Sequence, residues 1–399
     1  MRFVRIELEL MLHICNFFVN HLRIPLILSF ALLIGIGFAA PLSGSKTDTH
    51  PALLLSQPLT VRWRYQSDTL NLTPAFDTER IYLPIAGGTI VCLKAKDGQL
   101  CWRSEMGGEL SASPIADEQM IYVASEVASG SASTASPGGA LRALGREGGV
   151  TQWMTPLVKP LKGSLAIRGE KLFAGGVDGR AYAFDKRTGG VFWSIPFSAP
   201  FGGQPVSDGA RVYFGSDDGS MVALEESTGK LLWRFKTKGV IRGPVAVGNG
   251  RVFFGSADGY VYCVTADKGH LVWRSRTGGG VEAVTLAGDS LLAASLDNFA
   301  YLFDAKGGRM WKKQLPGRIS SQPLTVKEAA LFMPLSSSVA VVLALRDGKQ
   351  VNLLATGDEI TSSAAPVVVG DALIVTTEHG MLAFAPPSAT SATTSKPSP

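Results

Sequence analysis

The residues best suited to catalysis or metal binding are few and widely separated in this sequence. Of the five histidines, only His270 and His379 lie beyond residue 58, and none of the four cysteines is adjacent to another. The sequence contains no metal-site spacing of His, Cys and Asp, no Gly-x-Ser-x-Gly nucleophile motif and no phosphate-binding loop. It therefore predicts neither a catalytic nor a metal-binding residue.

Acidic residues recur at one position of a repeated pattern, and two interpretations are open. The members are Asp178, Asp217, Asp218, Asp258, Asp297 and Glu378. Such a ring of carboxylates could collect a cation. However, Asp178, Asp218 and Asp258 each precede a glycine, as a tight hairpin turn requires. We favour turn formation.

Basic residues recur in the segments that join one repeat to the next. Among them we select Lys236, Arg242, Arg276 and Arg318 as a candidate partner-binding surface. Loops carried on a rigid scaffold are the usual place for binding, and these cations predict an acidic or peptide partner. The alternative is that they only keep the surface solvated.

Cys92 and Cys101 flank the turn at residues 96–98 and are predicted to lie nearly opposite each other in a hairpin. In an oxidising compartment such a pair can form a disulfide if the strand register allows it. The alternative is that Cys92 is simply the small residue that leaves room for Trp102.

The elements that carry these residues are repeats, and each repeat ends at a tryptophan. The clearest copy is residues 227–233, Ser-Thr-Gly-Lys-Leu-Leu-Trp. The seven tryptophans are separated by 39, 51, 40, 40, 40 and 38 residues. They are Trp63, Trp102, Trp153, Trp193, Trp233, Trp273 and Trp311. A period near 40 is typical of β-propellers. We interpret the rings as structural, each covering the neighbouring repeat.

Each repeat reads as four short strands separated by turns. In residues 204–235, β-branched and aromatic runs alternate with Asp-Gly and Thr-Gly turns. No helix-length segment intervenes, which argues against parallel strand–helix–strand units. Four antiparallel strands in 40 residues form one propeller blade, so the fold class is all-β.

Eight copies predict an eight-bladed propeller. The last copy has only three strands, and Leu59–Tyr65 at the other end of the array is the expected fourth strand, closing the ring. Asn352 occupies the tryptophan position of the seventh copy. We expect that joint to be the weakest, and Asn352→Trp to raise stability.

The motif of residues 223–233, echoed at residues 183–193, resembles the tryptophan-docking repeat of the PQQ-like (pyrroloquinoline-quinone) propeller family. The resemblance covers about residues 59–386. It implies an eight-bladed propeller and two possible functions. Catalytic members are quinoprotein dehydrogenases that hold PQQ and calcium with adjacent cysteines, carboxylates and an Asn. Non-catalytic members of the BamB type are protein-binding scaffolds of the cell envelope.

The missing adjacent cysteines favour the non-catalytic branch, so we expect a scaffold without cofactor. It would bind envelope proteins or peptides on its loop face. A PQQ-dependent oxidoreductase or PQQ-binding sensor is the alternative. The formal net charge of +5 is too small and too mixed in sign to indicate nucleic-acid binding.

The two ends of the chain differ in composition from the repeats. Residues 1–45 read as an export signal or signal anchor, with the apolar run at 24–42, followed by a linker at 46–58. Cleavage and anchoring in the inner membrane both stay open, as does a start at Met11. Either predicts an extracytoplasmic protein. No cysteine follows the apolar run, so a lipid anchor of the BamB type is in doubt. Residues 387–399 are predicted to be disordered.

Overall fold

A computed structural model describes residues 53–68, 71–127 and 138–387 of the chain. The predicted export segment and most of the predicted Ser- and Thr-rich tail lie outside these residues. So does most of the insertion at residues 126–137.

All regular structure in the described residues is β-strand, in eight sheets around one ring. The first three blades contain β2 (Ala75–Phe76), β3 (Arg80–Ile85), β4 (Thr89–Lys94) and β5 (Leu100–Glu105); β7 (Ile115–Ala116), β8 (Met120–Glu126), β9 (Gly139–Gly145) and β10 (Thr151–Leu157); and β11 (Leu161–Arg168), β12 (Lys171–Gly176), β13 (Arg180–Asp185) and β14 (Val191–Pro196). A short strand, β6 (Ala112–Ser113), runs parallel to β11 and extends the third sheet to five strands.

The next three blades repeat the pattern at nearly constant spacing. They contain β15 (Val206–Ser207), β16 (Arg211–Gly215), β17 (Ser220–Glu225) and β18 (Leu231–Lys236); β19 (Ala246–Gly248), β20 (Arg251–Ser256), β21 (Tyr260–Thr265) and β22 (Leu271–Arg276); and β23 (Val281–Ala287), β24 (Ser290–Ser295), β25 (Phe299–Phe303) and β26 (Arg309–Gln314).

The last two blades join the two ends of the described chain. Blade 7 contains β27 (Leu324–Val326), β28 (Ala329–Phe332), β29 (Val339–Ala344) and β30 (Gln350–Ala355). Blade 8 contains β31 (Val367–Val369), β32 (Ala372–Thr377) and β33 (Gly380–Ala385), and its fourth strand is β1 (Thr60–Gln66). β1 lies antiparallel to β33, with Trp63 opposite Ala383. The predicted all-β, eight-bladed propeller is confirmed.

The core consists of eight apolar layers, one between each pair of neighbouring blades. The middle strands are buried along their length because both of their faces meet a neighbouring blade. The outer strands alternate, as in β18, where Trp233 is buried between exposed residues. This difference explains the continuous apolar runs and the alternating final run of each repeat.

Each tryptophan joins its blade to the next through one hydrogen bond. Its Nε1 donates to a backbone carbonyl at the same position of the following blade, at 2.8–3.2 Å. The seven acceptors are the carbonyls of Ala95, Arg146, Lys186, Glu226, Ala266, Ala305 and Leu345. Within its own blade the ring also lies against an aromatic residue of the second strand in five blades, as Trp233 does against Tyr213 at 5.8 Å.

The eighth joint uses an amide in place of a tryptophan. Nδ2 of Asn352 donates to the carbonyls of Leu55 and Gln57, at 2.9 and 2.6 Å. Leu53 and Leu55, which the sequence analysis assigned to the linker, are buried in the layer between blades 7 and 8. The joint lacks the tryptophan ring, as Asn352 in the sequence indicated, but the segment before β1 supplies carbonyls that the Asn352 amide reaches. That this joint is the weakest stays a prediction.

Candidate functional site

The face we call the loop face consists of the turns between second and third strands and the links between blades. Antiparallel order places these two kinds of connection on the same side of the ring. Contacts at blade 4 show this directly: Thr237, in the link after β18, donates from Oγ1 to the carbonyl of Gly219 in the turn before β17. The four cations selected from the sequence all lie on this face.

Arg242 is held by a bidentate ion pair with Asp217. Its Nε and Nη2 donate to the two carboxylate oxygens of Asp217, at 2.8 and 3.0 Å. Arg242 begins the inner strand region of blade 5, whereas Asp217 belongs to the turn of blade 4. The side chain crosses Gly202, where an added Cβ would lie 3.4 Å from Cγ of Arg242. The hydrogen bond with Asp217 raises the pKa of Arg242, so this cation is fixed and largely neutralised.

Glu282 occupies the equivalent position one blade further on. Gly202, Arg242 and Glu282 are spaced by 40 residues and follow one another around the ring. Burial raises the pKa of Glu282, and the nearby positive charge of Arg242 partly opposes this rise. Asp217, Arg242 and Glu282 thus form an alternating series of charges at the inner edge of the loop face.

Lys236 is also paired. Its Nζ lies 3.1 Å from Oδ2 of Asp218 and donates a short hydrogen bond to the carbonyl of the same residue. Burial alone would raise the pKa of Asp218, but hydrogen bonds from Ser220 and Lys236 outweigh it and hold that pKa well below its ordinary value. Lys236 therefore closes a turn and is not a free charge.

Arg276 and Arg318 differ from the first two cations. Both are exposed. Within residues 53–68, 71–127 and 138–387, no carboxylate forms an ion pair with either guanidinium. The structure therefore divides the four predicted residues into two neutralised cations and two that are available to a partner.

The recurring acids act as turn-forming residues where their contacts are seen. Asp178 and Asp258 each accept a hydrogen bond from an amide two residues on, and each accepts the hydroxyl of a tyrosine at 2.7 Å. Asp297 repeats both contacts, with Tyr301 as the tyrosine. In the part of the chain that the structure describes, no group of three His, Cys, Asp or Glu side chains is placed to hold a metal ion.

The two cysteines of the first blade lie at an irregularity of the hairpin. Cys92 pairs with Trp102 and Leu93 pairs with Leu100, so Cys101 is the extra residue of a β-bulge. Cys92 is buried and Cys101 is exposed, and the structure shows no bond between their sulfurs. Burial, together with the neighbouring Cys101 thiol, raises the pKa of Cys92. The disulfide stays a prediction.

The opposite face contains a cavity that the sequence did not predict. It has a volume of about 630 Å³ and lies between the turns of blades 8, 1 and 2. Phe76, Val368 and Val369 form part of its apolar wall, and Asp77 and Arg146 form part of its polar wall. The last two residues are ion-paired at 2.6 Å.

Sequence reasoning did not select Glu282, and it did not predict that Asp217 binds Arg242. Asp217 was assigned to a turn, although its carboxylate binds a cation of the next blade. A usable signal was present at Glu282, since it aligns with Gly202 and Arg242 at the repeat spacing. A change of charge between equivalent positions of successive repeats, as from Gly202 to Arg242 to Glu282, marks a position where the repeats differ in more than packing.

The fold and the site define an eight-bladed propeller of PQQ-like repeats. Tryptophans join its neighbouring blades, and its loop face is charged. The chain belongs to the family described as outer membrane protein assembly factor BamB, whose profile matches residues 57–136, 137–239 and 217–397. No curated protein matches this chain.

Solved structures share the fold at low sequence identity. BamB from Moraxella catarrhalis is 17% identical, with a TM-score of 0.68, and the match covers 82% of this chain and 97% of that one. The computationally designed Ika8 protein is 14% identical, with a TM-score of 0.67, covering 81% and 98% of the two chains. Among the described residues, no helix has the length and apolar character needed to span a membrane.

Proposed function

We propose that this propeller is a non-catalytic, protein-binding scaffold that takes part in assembling outer-membrane proteins. The observation that carries the proposal is the family match, which extends over nearly all of the repeat array. The structure adds a rigid ring with eight apolar layers and a loop face bearing exposed cations. Loops carried on a rigid scaffold are a usual place for binding residues.

We place the partner on the loop face, at Arg276 and Arg318. Both guanidiniums are exposed, whereas Arg242 and Lys236 are already paired with Asp217 and Asp218. Arginine offers several donors in a planar fork that matches a carboxylate. The proposed partner is therefore an envelope protein that presents acidic side chains to this face.

The proposal includes an extracytoplasmic location. Residues 24–42 would direct export and, if retained, hold the propeller at the inner membrane. Protease treatment of spheroplasts tests the location, because an extracytoplasmic propeller is digested while the inner membrane is intact. Survival of the protein until the membrane is lysed would contradict it.

Depletion and complementation test the function. Cells lacking the protein are expected to contain less folded β-barrel protein in the outer membrane, measured as heat-modifiable bands on gels. Wild-type protein should restore the level, and Arg276→Glu/Arg318→Glu should not. A matched control is Lys96→Glu/Lys268→Glu, which reverses two exposed cations in turns of the opposite face. Unchanged β-barrel levels on depletion would refute the scaffold role in assembly.

A binding assay with the purified protein tests the alternative that it binds a quinone. Adding PQQ with Ca²⁺ is expected to give no bound quinone absorbance after gel filtration. A bound spectrum accompanied by dye-linked alcohol oxidation would replace the scaffold with an oxidoreductase.

A further inference from the structure

The outer strands of blades 4, 5 and 6 form a lateral wall of one charge sign. We define this wall as β18, β22 and β26, with the sequences Leu-Leu-Trp-Arg-Phe-Lys, Leu-Val-Trp-Arg-Ser-Arg and Arg-Met-Trp-Lys-Lys-Gln. It contains no acidic residue. Its cations are Arg234, Lys236, Arg274, Arg276, Arg309, Lys312 and Lys313. The outer strands of blades 2 and 3, β10 and β14, carry no charged residue, and β1 of blade 8 carries two arginines, so the cations are most numerous on blades 4 to 6.

Three of these cations are supported in the same way. Arg234, Arg274 and Lys312 each follow the docking tryptophan of their blade and are exposed. Each lies over an aromatic ring: Arg234 at 5.5 Å from the centroid of Phe197, Arg274 at 4.9 Å from that of Tyr260, and Lys312 at 3.7 Å from that of Phe299. A ring beneath a cation restricts its side chain and leaves the outward side open. The structure thus presents a ladder of three preoriented cations.

These three cations have no competing carboxylate. In the described residues, Lys236 is the one cation of the wall in an ion pair, with Asp218. The ladder is therefore a positive surface that nothing within the described chain neutralises.

An apolar row runs beside the ladder. The two residues before each tryptophan are exposed in blades 4 and 5, with exposed fractions between 42% and 48% for Leu231, Leu232, Leu271 and Val272. Met310 continues the row in blade 6, at 53%. Exposed apolar residues thus recur at one strand position on three neighbouring blades, and exposed apolar clusters mark interaction sites more often than single exposed residues do.

The wall also has open backbone edges. β18, β22 and β26 are each the terminal strand of their sheet, so their outward amides and carbonyls have no strand partner. A peptide that pairs with one of these edges runs along that strand and meets one blade, whereas a segment that crosses the wall can meet the cations of all three blades.

We propose that the lateral wall binds an extended, acidic protein segment in which acidic and apolar side chains alternate. Its carboxylates contact Arg234, Arg274 and Lys312, and its apolar side chains contact the row at Leu231, Leu232, Leu271 and Val272. A protein segment fits better than an anionic bilayer, because successive blades turn about the ring axis and a flexible chain follows their outer strands more readily than a flat membrane does. The ladder cations Arg234, Arg274 and Lys312 differ from Arg276 and Arg318, on which the proposed function rests, although Arg276 is the last residue of β22.

Fluorescence anisotropy with a short labelled peptide of alternating Glu and Val tests this proposal on the full chain. Wild-type protein is expected to bind it, and added salt should weaken the binding because the charges are exposed. Arg234→Glu/Arg274→Glu should weaken it by about ten-fold or more. The matched control is Arg64→Glu/Arg103→Glu. These arginines occupy the same strand position in blades 8 and 1, and the change in net charge is identical.

Each outcome is decisive. Equal loss in both variants would mean that net charge, and not the wall, attracts the peptide, and would overturn the proposal. So would the absence of binding to wild type. A parallel assay with vesicles containing phosphatidylglycerol tests whether the wall binds a membrane instead. Binding to vesicles but not to the peptide, lost in Arg234→Glu/Arg274→Glu, would overturn the proposal and assign the wall to a membrane. The peptide assay changes Arg234 and Arg274 and the β-barrel assay changes Arg276 and Arg318, so the two tests share no substituted residue and the failure of one proposal can be told from the failure of the other.

Discussion

The indole ring of Trp193 lies against Gly229, the turn glycine of the following blade. A Cβ added at Gly229 would come within 2.8 Å of Cδ2 of Trp193. In the same turn, the carbonyl of Glu226 accepts a hydrogen bond from Trp193 Nε1 at 3.1 Å. The glycine and the tryptophan of one repeat motif therefore serve different joints: Gly229 receives the ring of the blade before it, and Trp233 docks on the blade after it.

Substituting Gly229 should lower the free energy of unfolding by more than the strain of its backbone conformation alone would. Gly229 has a φ of +74°, which costs an L-residue roughly 1 kcal/mol. Gly229→Ala also displaces the Trp193 ring, so we expect a total loss of about 2–4 kcal/mol in the free energy of unfolding. Urea unfolding measures it.

Gly250→Ala is the matched control. Gly250 has a φ of +68° in another turn, but no atom lies within 4 Å of its added Cβ. Its loss should stay near 1 kcal/mol. Equal losses at the two sites would show that the ring contact contributes nothing measurable.

The Asn352 amide should stabilise the joint between blades 7 and 8. Asn352→Ala removes both hydrogen bonds to the carbonyls of Leu55 and Gln57, and we expect a loss of about 1–3 kcal/mol. Asn352→Trp should also lower the melting temperature, because no indole donor can serve both carbonyls in their present positions. This reverses the expectation from the sequence. A higher melting temperature for Asn352→Trp would show that the segment before β1 can move to accept the ring.

The blade count and strand order were predictable because they are local and repeated. Turn glycines, β-branched runs and the tryptophan spacing each point to four strands per repeat, and eight copies leave one architecture. The role of Trp63 followed from the missing strand of the last copy. These inferences needed no knowledge of distant contacts.

The contacts that depend on the path of the chain between blades were not predictable. Asn352 meets a segment 297 residues earlier in the sequence, which no repeat pattern relates to it. Arg242 reaches Asp217 because the link after β18 carries its side chain across Gly202. The sequence alone does not predict the path of that link. All four selected cations lie on the loop face, but within the described residues Lys236 and Arg242 form ion pairs there. Their role in binding a partner stays a prediction.

Acid should weaken the joint between blades 1 and 2 in a defined pH range. Burial alone would raise the pKa of Asp77, but hydrogen bonds from Arg146, Tyr82 and the amides of Glu79 and Arg80 outweigh burial and lower that pKa to about 2. Because the folded pKa lies below the unfolded value of about 3.9, the stabilisation is complete above pH 4 and is lost as the pH falls towards 2. Its size is at most about 2–3 kcal/mol.

Arg146→Met tests this origin. Without the guanidinium, the pKa of Asp77 should rise, so stability should be lower at neutral pH and its acid-induced loss should begin at a higher pH. Urea midpoints measured from about pH 2 to 6 give both profiles. Parallel profiles would show that Arg146 does not set the ionisation of Asp77.

The cysteines of blade 1 should react at different rates if they are not bridged. Cys101 is exposed, whereas Cys92 is buried and its pKa is raised, and the thiolate is the reactive form. Alkylation of the folded, reduced protein should therefore modify Cys101 first and Cys92 only on unfolding. Cys263, which is buried in blade 5 with a pKa raised by burial to about 11, is the internal control for slow labelling.

The intact mass of protein isolated without reductant then decides whether Cys92 and Cys101 are bridged. A mass lower by two hydrogens, with Cys101 resistant to alkylation, would establish the disulfide. In that case the β-bulge beside Trp102 must adjust, because it now places one sulfur inside the layer and the other in solvent.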